Sequence, residues 1–276
     1  MNNPVGILDR CGNMDERRIR FYETIGLDCI QLAGVYEDWL APTPEAEKKT
    51  DAIYALLKKY DIAVPTMFFS YPFHTDNTVG LAPLQFRGER IALSCRQMLW
   101  GRKFGAKYFA CHVGEFPEEN DPSYEQFIHD LKMLARFAAI NDQYFMFETG
   151  PETVQCLKKT IAAIDEKNVG INFDPANFLY YNCDDPALLV EELADKVLVI
   201  HCKDAVRPLP GEMYGKETVL GEGATNFVTL LEKMLKKGFS GPLIIERELT
   251  PGPEQEHDFK NAVQLIKSVM KGVEKC

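Results

Sequence analysis

The sequence predicts a single α/β domain, a closed (β/α)8 TIM barrel, over residues 1–276. Short aliphatic runs alternate with longer segments of helical periodicity, eight of each, which is the pattern of repeated βα units. The aliphatic runs are apolar on both faces, as in parallel strands covered by helices. Eight such units in a chain of this length favour a closed barrel. An open doubly wound sheet is the alternative, but the segment GILDRCGN lacks the Gly-x-Gly-x-x-Gly turn that often follows the first strand of that fold.

The predicted strands and helices follow one another in regular order. The strands are predicted at 5–8, 29–33, 62–69, 107–112, 144–148, 169–173, 197–201 and 243–246. The helices are predicted at 14–25, 44–60, 85–104, 123–141, 152–166, 186–194, 226–238 and 255–273. In the second helix, Pro44 suits a first turn, Glu45 lies near the positive end of the helix dipole, and Lys59 comes late. The stretch 205–224 is long for a βα loop, which is typical of functional loops.

The composition argues against nucleic acid and membrane partners. Acidic residues outnumber basic ones by 41 to 31, and the net charge of −10 repels phosphate backbones and anionic lipids. No apolar run approaches the roughly 18 residues of a membrane span, and the segment MNNPVGILDR lacks the pattern of a signal peptide. The eight cysteines include no Cys-x-x-Cys pair. We therefore expect a reduced, cytoplasmic protein, either a monomer or a homo-oligomer.

Four side chains of metal-ligand type stand at the ends of consecutive predicted strands. Glu148 ends the fifth strand, Asp174 follows the sixth, His201 ends the seventh and Glu246 ends the eighth. Active sites of (β/α)8 enzymes lie at the carboxyl ends of the strands. These four residues are therefore predicted to converge at one end of the barrel.

A divalent cation explains this combination of side chains. Three carboxylates in a half-buried site repel one another, and desolvation would force them to protonate unless a cation is present. Three oxygen donors and one imidazole suit Mn²⁺, Mg²⁺, Co²⁺ or Zn²⁺. Each residue taken alone is as readily a helix cap or an ion-pair partner. Four of them at consecutive strand ends favour one shared divalent ion, bound by Glu148, Asp174, His201 and Glu246.

Five segments, in this order, carry a resemblance to a known family: FETGPET, VGINFDPANF, HCKDA, VLGEG and GPLIIERE. The sequence resembles the xylose-isomerase-like TIM-barrel superfamily of sugar and sugar-phosphate isomerases and epimerases over nearly the whole chain. The resemblance implies that Glu148, Asp174, His201 and Glu246 are metal ligands. It also implies that Glu148 and Glu246 act as the catalytic acid/base pair, as in the ketose 3-epimerases of that superfamily.

The sequence departs from parts of this superfamily. Ketose epimerases usually carry Asp-x-x-His after the sixth strand, whereas the fourth position here is Asn177. The DNA-repair enzyme endonuclease IV uses the same histidine and an Asp-x-His pair to hold three zinc ions, but residues 202–235 contain no histidine. We therefore expect a single metal ion and no nuclease activity.

Further polar residues near the same strand ends are predicted to bind substrate. These are His112, His74, Asn177, Lys203, Arg207 and Glu152. His112 ends the fourth strand and His74 follows the third, so both face the same end of the barrel. Lys203 suits an anionic or hydroxyl group, and Arg207 suits a carboxylate or phosphate, which a guanidinium binds bidentately. The alternatives are a structural role for His112 and His74, a surface ion pair for Lys203, and a helix cap for Glu152.

The predicted function is that of a divalent-metal-dependent sugar or sugar-phosphate isomerase or epimerase. A carboxylate would remove a proton next to a carbonyl, giving a metal-stabilised enediolate. Two glutamates approaching from different strands favour inversion of a stereocentre, because inversion requires proton exchange on both faces. Two alternatives stay open: an inosose-type dehydratase that begins with the same proton abstraction, and a barrel that binds metal and sugar without catalysis.

Overall fold

The structure is a computed structural model that describes residues 3–72 and 80–274. Its strands, in chain order, are Val5–Arg10 (β1), Cys29–Ala33 (β2), Ala63–Phe68 (β3), Tyr108–His112 (β4), Tyr144–Glu148 (β5), Val169–Phe173 (β6), Val197–Cys202 (β7), Asp204–Val206 (β8), Lys216–Thr218 (β9) and Leu243–Ile245 (β10). All but β8 and β9 form a closed parallel barrel in the order β1-β10-β7-β6-β5-β4-β3-β2. The predicted (β/α)8 barrel is thereby confirmed.

Helices cover the outside of the barrel. They are Glu16–Thr24 (α1), Glu37–Leu40 (α2), Pro44–Lys59 (α3), Arg87–Gly101 (α4), Tyr124–Ile140 (α5), Val154–Ile164 (α6), Pro175–Tyr180 (α7), Pro186–Glu192 (α8), Phe227–Lys236 (α9) and Pro253–Glu274 (α10). The short helices α2 and α7 were not predicted from the sequence. In α3, Thr43 caps the amino end by accepting a hydrogen bond from the Ala46 amide, and Pro44 occupies the first turn as predicted. Among the described helices, none combines the length and the apolar character that a membrane span requires.

The barrel interior is built in layers by the period-two alternation of its strands. A small apolar cluster takes one buried residue from each of five strands: Cys29, Ala110, Met146, Val199 and Ile244. Strand β2 is not a neighbour of the other four strands, so Cys29 meets the other side chains across the interior. Because side chains on one face of a strand recur every two residues, the next interior positions are polar. They are Gln31, His112, Glu148, His201 and Glu246.

The long loop predicted after the seventh strand contains a small antiparallel hairpin of β8 and β9. Asp204 begins this hairpin, and its carboxylate accepts hydrogen bonds from the amides of Gly221 (3.0 Å), Gly223 (3.1 Å) and Thr225 (3.2 Å). The Thr225 hydroxyl donates to it as well, at 2.7 Å. A β-carbon on Gly223 would lie 2.1 Å from Asp204 Oδ1, so only glycine permits this approach. Asp204 therefore fixes the loop that leads from the hairpin to α9.

We expect Asp204→Ala to lower the free energy of unfolding by roughly 2–4 kcal/mol, because it leaves several buried donors without an acceptor. Urea unfolding followed by circular dichroism measures the loss. Lys216→Ala, on the exposed side of the same hairpin, serves as the control and should change stability by less than about 1 kcal/mol. Equal losses in the two variants would contradict the anchoring role of Asp204.

Candidate metal centre

Four side chains meet at the carboxyl end of the barrel. Glu148 ends β5, Asp174 directly follows β6, His201 lies in β7 and Glu246 directly follows β10. One ligand atom from each lies within 4.8 Å of all the others. The His201 Nδ1 atom lies 2.8 Å from Glu148 Oε1, 2.9 Å from Glu246 Oε2 and 3.9 Å from Asp174 Oδ2. The arrangement brings together the four residues that the sequence indicated as ligands.

The donor atoms of this cluster fit a divalent ion. Asp174 Oδ2, His201 Nδ1 and Glu246 Oε2 are buried and lie close together, but none of them makes a hydrogen bond of suitable geometry. Buried polar atoms without partners are rare in folded proteins and call for an explanation such as an ion. Convergent carboxylate oxygens with one imidazole nitrogen are a donor set that Mn²⁺, Mg²⁺, Co²⁺ and Zn²⁺ accept.

The two carboxylate oxygens of Asp174 have different contacts. Oδ1 caps α7 by accepting hydrogen bonds from the Ala176 amide at 2.8 Å and the Asn177 amide at 3.3 Å. Oδ2 faces the centre of the cluster. The structural reading of this residue as a helix cap and the functional reading as a ligand are therefore compatible.

Positive side chains surround the carboxylates. The Lys203 ammonium lies 3.4 Å from Glu246 Oε1 and 3.8 Å from Asp174 Oδ2, and it also pairs with Glu248. Burial favours the neutral form of Glu246, but Lys203 and His201 outweigh it and hold the pKa of that carboxyl well below its usual range. For Asp174 burial is the larger influence, and its pKa is raised. Glu246 and Asp174 thus differ in environment although they share one centre.

A cavity of about 760 Å³ opens above the centre. Its walls include the aromatic side chains of Tyr36, Phe68, Phe69, Tyr71, Tyr180 and Tyr181. His112, Asn177, Lys203 and Glu246 contribute polar groups to the lining. A cavity of this volume, with aromatic side chains and convergent polar groups in its walls, suits a polar small molecule.

Three of the predicted substrate-binding residues line this cavity. His112 Nε2 lies 2.8 Å from Glu148 Oε2, and the Glu148 carboxylate raises the pKa of His112 to about 9 although burial alone would lower it. Asn177 is buried, and its side-chain Nδ2 donates a hydrogen bond to the Thr149 carbonyl at 2.8 Å. Lys203 lies beside the metal centre as described above.

The other three predicted substrate-binding residues are placed differently. Glu152 is buried and does not line the cavity; it accepts a hydrogen bond from the Gly150 amide at 3.1 Å, while Thr153 caps the following helix. Arg207 does not reach the cavity, because its guanidinium donates to the Asn182 side chain at 2.8 Å and to the Asp184 carbonyl at 2.7 Å. His74 lies outside the described residues.

Sequence reasoning missed Gln31, which contacts His201 from β2. The signal was present, since a glutamine in the aliphatic run CIQLA is unusual for a buried strand. It also missed Glu248, the partner of Lys203 at the rim of the cavity.

The fold and the site define a (β/α)8 barrel with a candidate metal centre at the carboxyl ends of its strands. Comparison with known proteins identifies the family. A family model described as "Xylose isomerase-like TIM barrel" matches residues 19–269. The chain belongs to this family.

Individual relatives agree with that assignment. A xylose isomerase domain protein from Planctomyces limnophilus is 26% identical, with a TM-score of 0.89 over 100% of both chains. A D-tagatose 3-epimerase-like protein is 18% identical, with a TM-score of 0.77 over 99% of this chain and 98% of its own. An inosose dehydratase from Clostridium botulinum is 25% identical over 149 residues, which are 48% of this chain and 49% of the relative. The chain thus spans about half the length of the curated relatives it matches.

We expect the chelator-treated protein to bind one divalent ion per chain. Asp174→Asn should weaken this binding at least tenfold while the fold persists, because asparagine still caps a helix but lacks the carboxylate charge. Calorimetric titration with Mn²⁺ measures stoichiometry and affinity. Asp185→Asn is the matched control, since Asp185 caps α8 in the same way at the surface. Two ions per chain, or equal affinity in both variants, would contradict the single centre.

We expect Glu152 to make stability depend on pH. Burial raises the pKa of its carboxyl from 4.5 to about 7, so the folded chain binds this proton more tightly than the unfolded chain. The contribution of the Glu152 carboxyl to the free energy of unfolding is therefore fully present at low pH and is lost as the pH rises through about 7. Glu152→Gln should therefore gain stability relative to wild type by up to about 3 kcal/mol between pH 5 and 8.

Unfolding free energies at several pH values test this difference. Glu191→Gln, on the exposed surface of α8, controls for the loss of one acidic residue. If the unfolding free energy of Glu152→Gln changes with pH in parallel with that of wild type, the Glu152 carboxyl does not carry the expected proton in the folded chain.

Proposed function

We propose that the chain is a divalent-metal-dependent isomerase or epimerase of a sugar or sugar phosphate. In this proposal residues 1–276 form one domain, and Glu148, Asp174, His201 and Glu246 hold the ion. The observation that carries the proposal is the pair of glutamates that approach His201 Nδ1 from two sides, at 2.8 and 2.9 Å, beneath a cavity of small-molecule size. The free thiols of the seven described cysteines support a reducing, cytoplasmic location.

The chemistry begins with removal of a proton from the carbon next to a carbonyl. When bound, the divalent ion supplies a Lewis acid that polarises the carbonyl and makes the neighbouring C–H more acidic. One glutamate accepts the proton, and a proton is then returned to the planar enediolate. The Lys203 ammonium and the His112 imidazole line the cavity and provide donors for the substrate oxygens.

Two glutamates favour epimerisation. Glu148 and Glu246 follow strands β5 and β10, which are separated in the barrel by β6 and β7. They therefore approach a bound substrate from different directions, and one can remove a proton from one face while the other returns a proton to the opposite face. A 1,2-isomerisation on one face needs only one of them.

Dehydration is the second candidate, and the curated relatives favour it. Inosose dehydratase from Clostridium botulinum matches about half of the chain. Dehydration starts with the same proton abstraction and differs in the next step, because a hydroxyl leaves the adjacent carbon. A barrel that only binds metal and sugar could use the two glutamates as ligands, but it would have no need of a base.

Deuterium incorporation distinguishes these outcomes. Ketoses, ketose phosphates and keto-cyclitols are incubated with metal-loaded protein in D₂O, and products are followed by NMR. For an epimerase we expect solvent deuterium on the carbon next to the carbonyl, with inversion. For a dehydratase we expect the hydrogen of that carbon and the hydroxyl of the adjacent carbon to be lost together as water, giving an unsaturated ketone. Glu148→Gln and Glu246→Gln should each lower turnover by about 10²–10⁴-fold.

Glu222→Gln is the control for these variants, since Glu222 is exposed in the loop after β9. It should retain wild-type turnover. If metal-loaded Glu148→Gln or Glu246→Gln is fully active, that glutamate has no part in the chemistry. If no compound of these classes exchanges a proton, the proposed reaction is wrong.

A further inference from the structure

A layer of buried polar side chains lies next to the metal centre inside the barrel. Gln31 in β2, Thr66 in β3 and Asn172 in β6 are fully buried, as is His201. Burying an amide without a partner costs free energy, so an interior layer of this kind needs hydrogen bonds that satisfy it. Its contacts converge on one atom, the Nε2 atom of His201.

Gln31 makes the closest of these contacts. Its Oε1 atom lies 2.6 Å from His201 Nε2, across the barrel interior. Its Nε2 atom donates to Thr66 Oγ1 at 3.0 Å. The bond to Thr66, on the neighbouring strand, ties the Gln31 side chain in place beside the imidazole.

The amide of Asn172 also faces this nitrogen. Asn172 Nδ2 lies 2.9 Å from His201 Nε2, while Asn172 Oδ1 is buried without a partner. Nε2 can serve Gln31 Oε1 only as a donor, and a donor does not pair with the Asn172 NH₂ group. Turning the Asn172 amide over places its oxygen towards the same N–H. Both amides then accept from one imidazole proton.

We propose that Gln31 is a positioning residue that keeps the proton of His201 on Nε2, so that the Nδ1 lone pair is directed at the divalent ion. The inference rests on the metal centre of the proposed function but not on its substrate. A neutral imidazole carries one proton, and the hydrogen bond of one nitrogen decides which nitrogen is free to ligate. Groups that hold a ligating histidine in this way typically contribute 10–100-fold to metal affinity.

The chemical nature of the acceptor matters. Many ligating histidines donate to a carboxylate, which makes the imidazole more basic. Here the acceptor is a neutral amide, in a centre that already holds three carboxylates. An amide fixes the tautomer without adding a fourth negative charge.

Metal affinity tests the role of Gln31. Gln31→Met removes the acceptor at similar volume and should raise the dissociation constant for Mn²⁺ or Zn²⁺ by about 10–100-fold. Gln143→Met is the matched control, because Gln143 is an equally buried glutamine that donates to the carbonyls of Met98 and Ala106, away from the centre. Gln31→Glu restores an acceptor oxygen and should recover affinity. Unchanged affinity in Gln31→Met would overturn the inference.

Nitrogen NMR on wild type provides a test that does not depend on any variant folding. In ¹⁵N-histidine-labelled, Zn²⁺-loaded protein, the ring of His201 is expected to bind zinc through Nδ1, with a shift of that nitrogen signal, and to carry its proton on Nε2. Binding through Nε2 instead would overturn the inference. Wild type that binds no metal would instead defeat the proposed metal-dependent function, so the two failures are distinguishable.

Discussion

The structure depends on an electrostatic constraint, the gathering of Glu148, Asp174 and Glu246 around one imidazole in a region shielded from water. Like charges at this separation are tolerated only where positive charge compensates for the lost solvation. Lys203 provides part of that compensation from the side, within 3.8 Å of Asp174 and 3.4 Å of Glu246. The rest of the compensating positive charge is needed at the centre, where Asp174 Oδ2, His201 Nδ1 and Glu246 Oε2 converge.

The closed barrel allows these side chains to converge. Closed parallel strands place their carboxyl ends on one rim, and the two-residue alternation puts one polar side chain from each of several strands directly above an apolar interior layer. Met146 lies two residues before Glu148, and Val199 lies two residues before His201. The same geometry that packs the core therefore directs the polar side chains inward.

Sequence patterns predicted the fold and the four central residues because both follow from local rules. Aliphatic runs define the strands, and polar residues at strand ends define the rim. The patterns did not reveal that Gln31 reaches across the barrel to His201, since that contact depends on strand register and barrel closure rather than on neighbouring sequence. The patterns also did not reveal the contacts of Arg207, whose guanidinium is held by Asn182 and Asp184 in the α7–α8 connection.

The divided carboxylate of Asp174 links the centre to the wall of the cavity. One oxygen faces the centre and the other holds the first turn of α7, the helix that carries Asn177 and ends at Tyr180. Tyr180 in turn stacks on Tyr214 of the hairpin loop, with ring centroids 5.2 Å apart. The position of this one carboxylate therefore fixes both a donor atom of the centre and the start of the helix whose last residue forms part of the cavity wall.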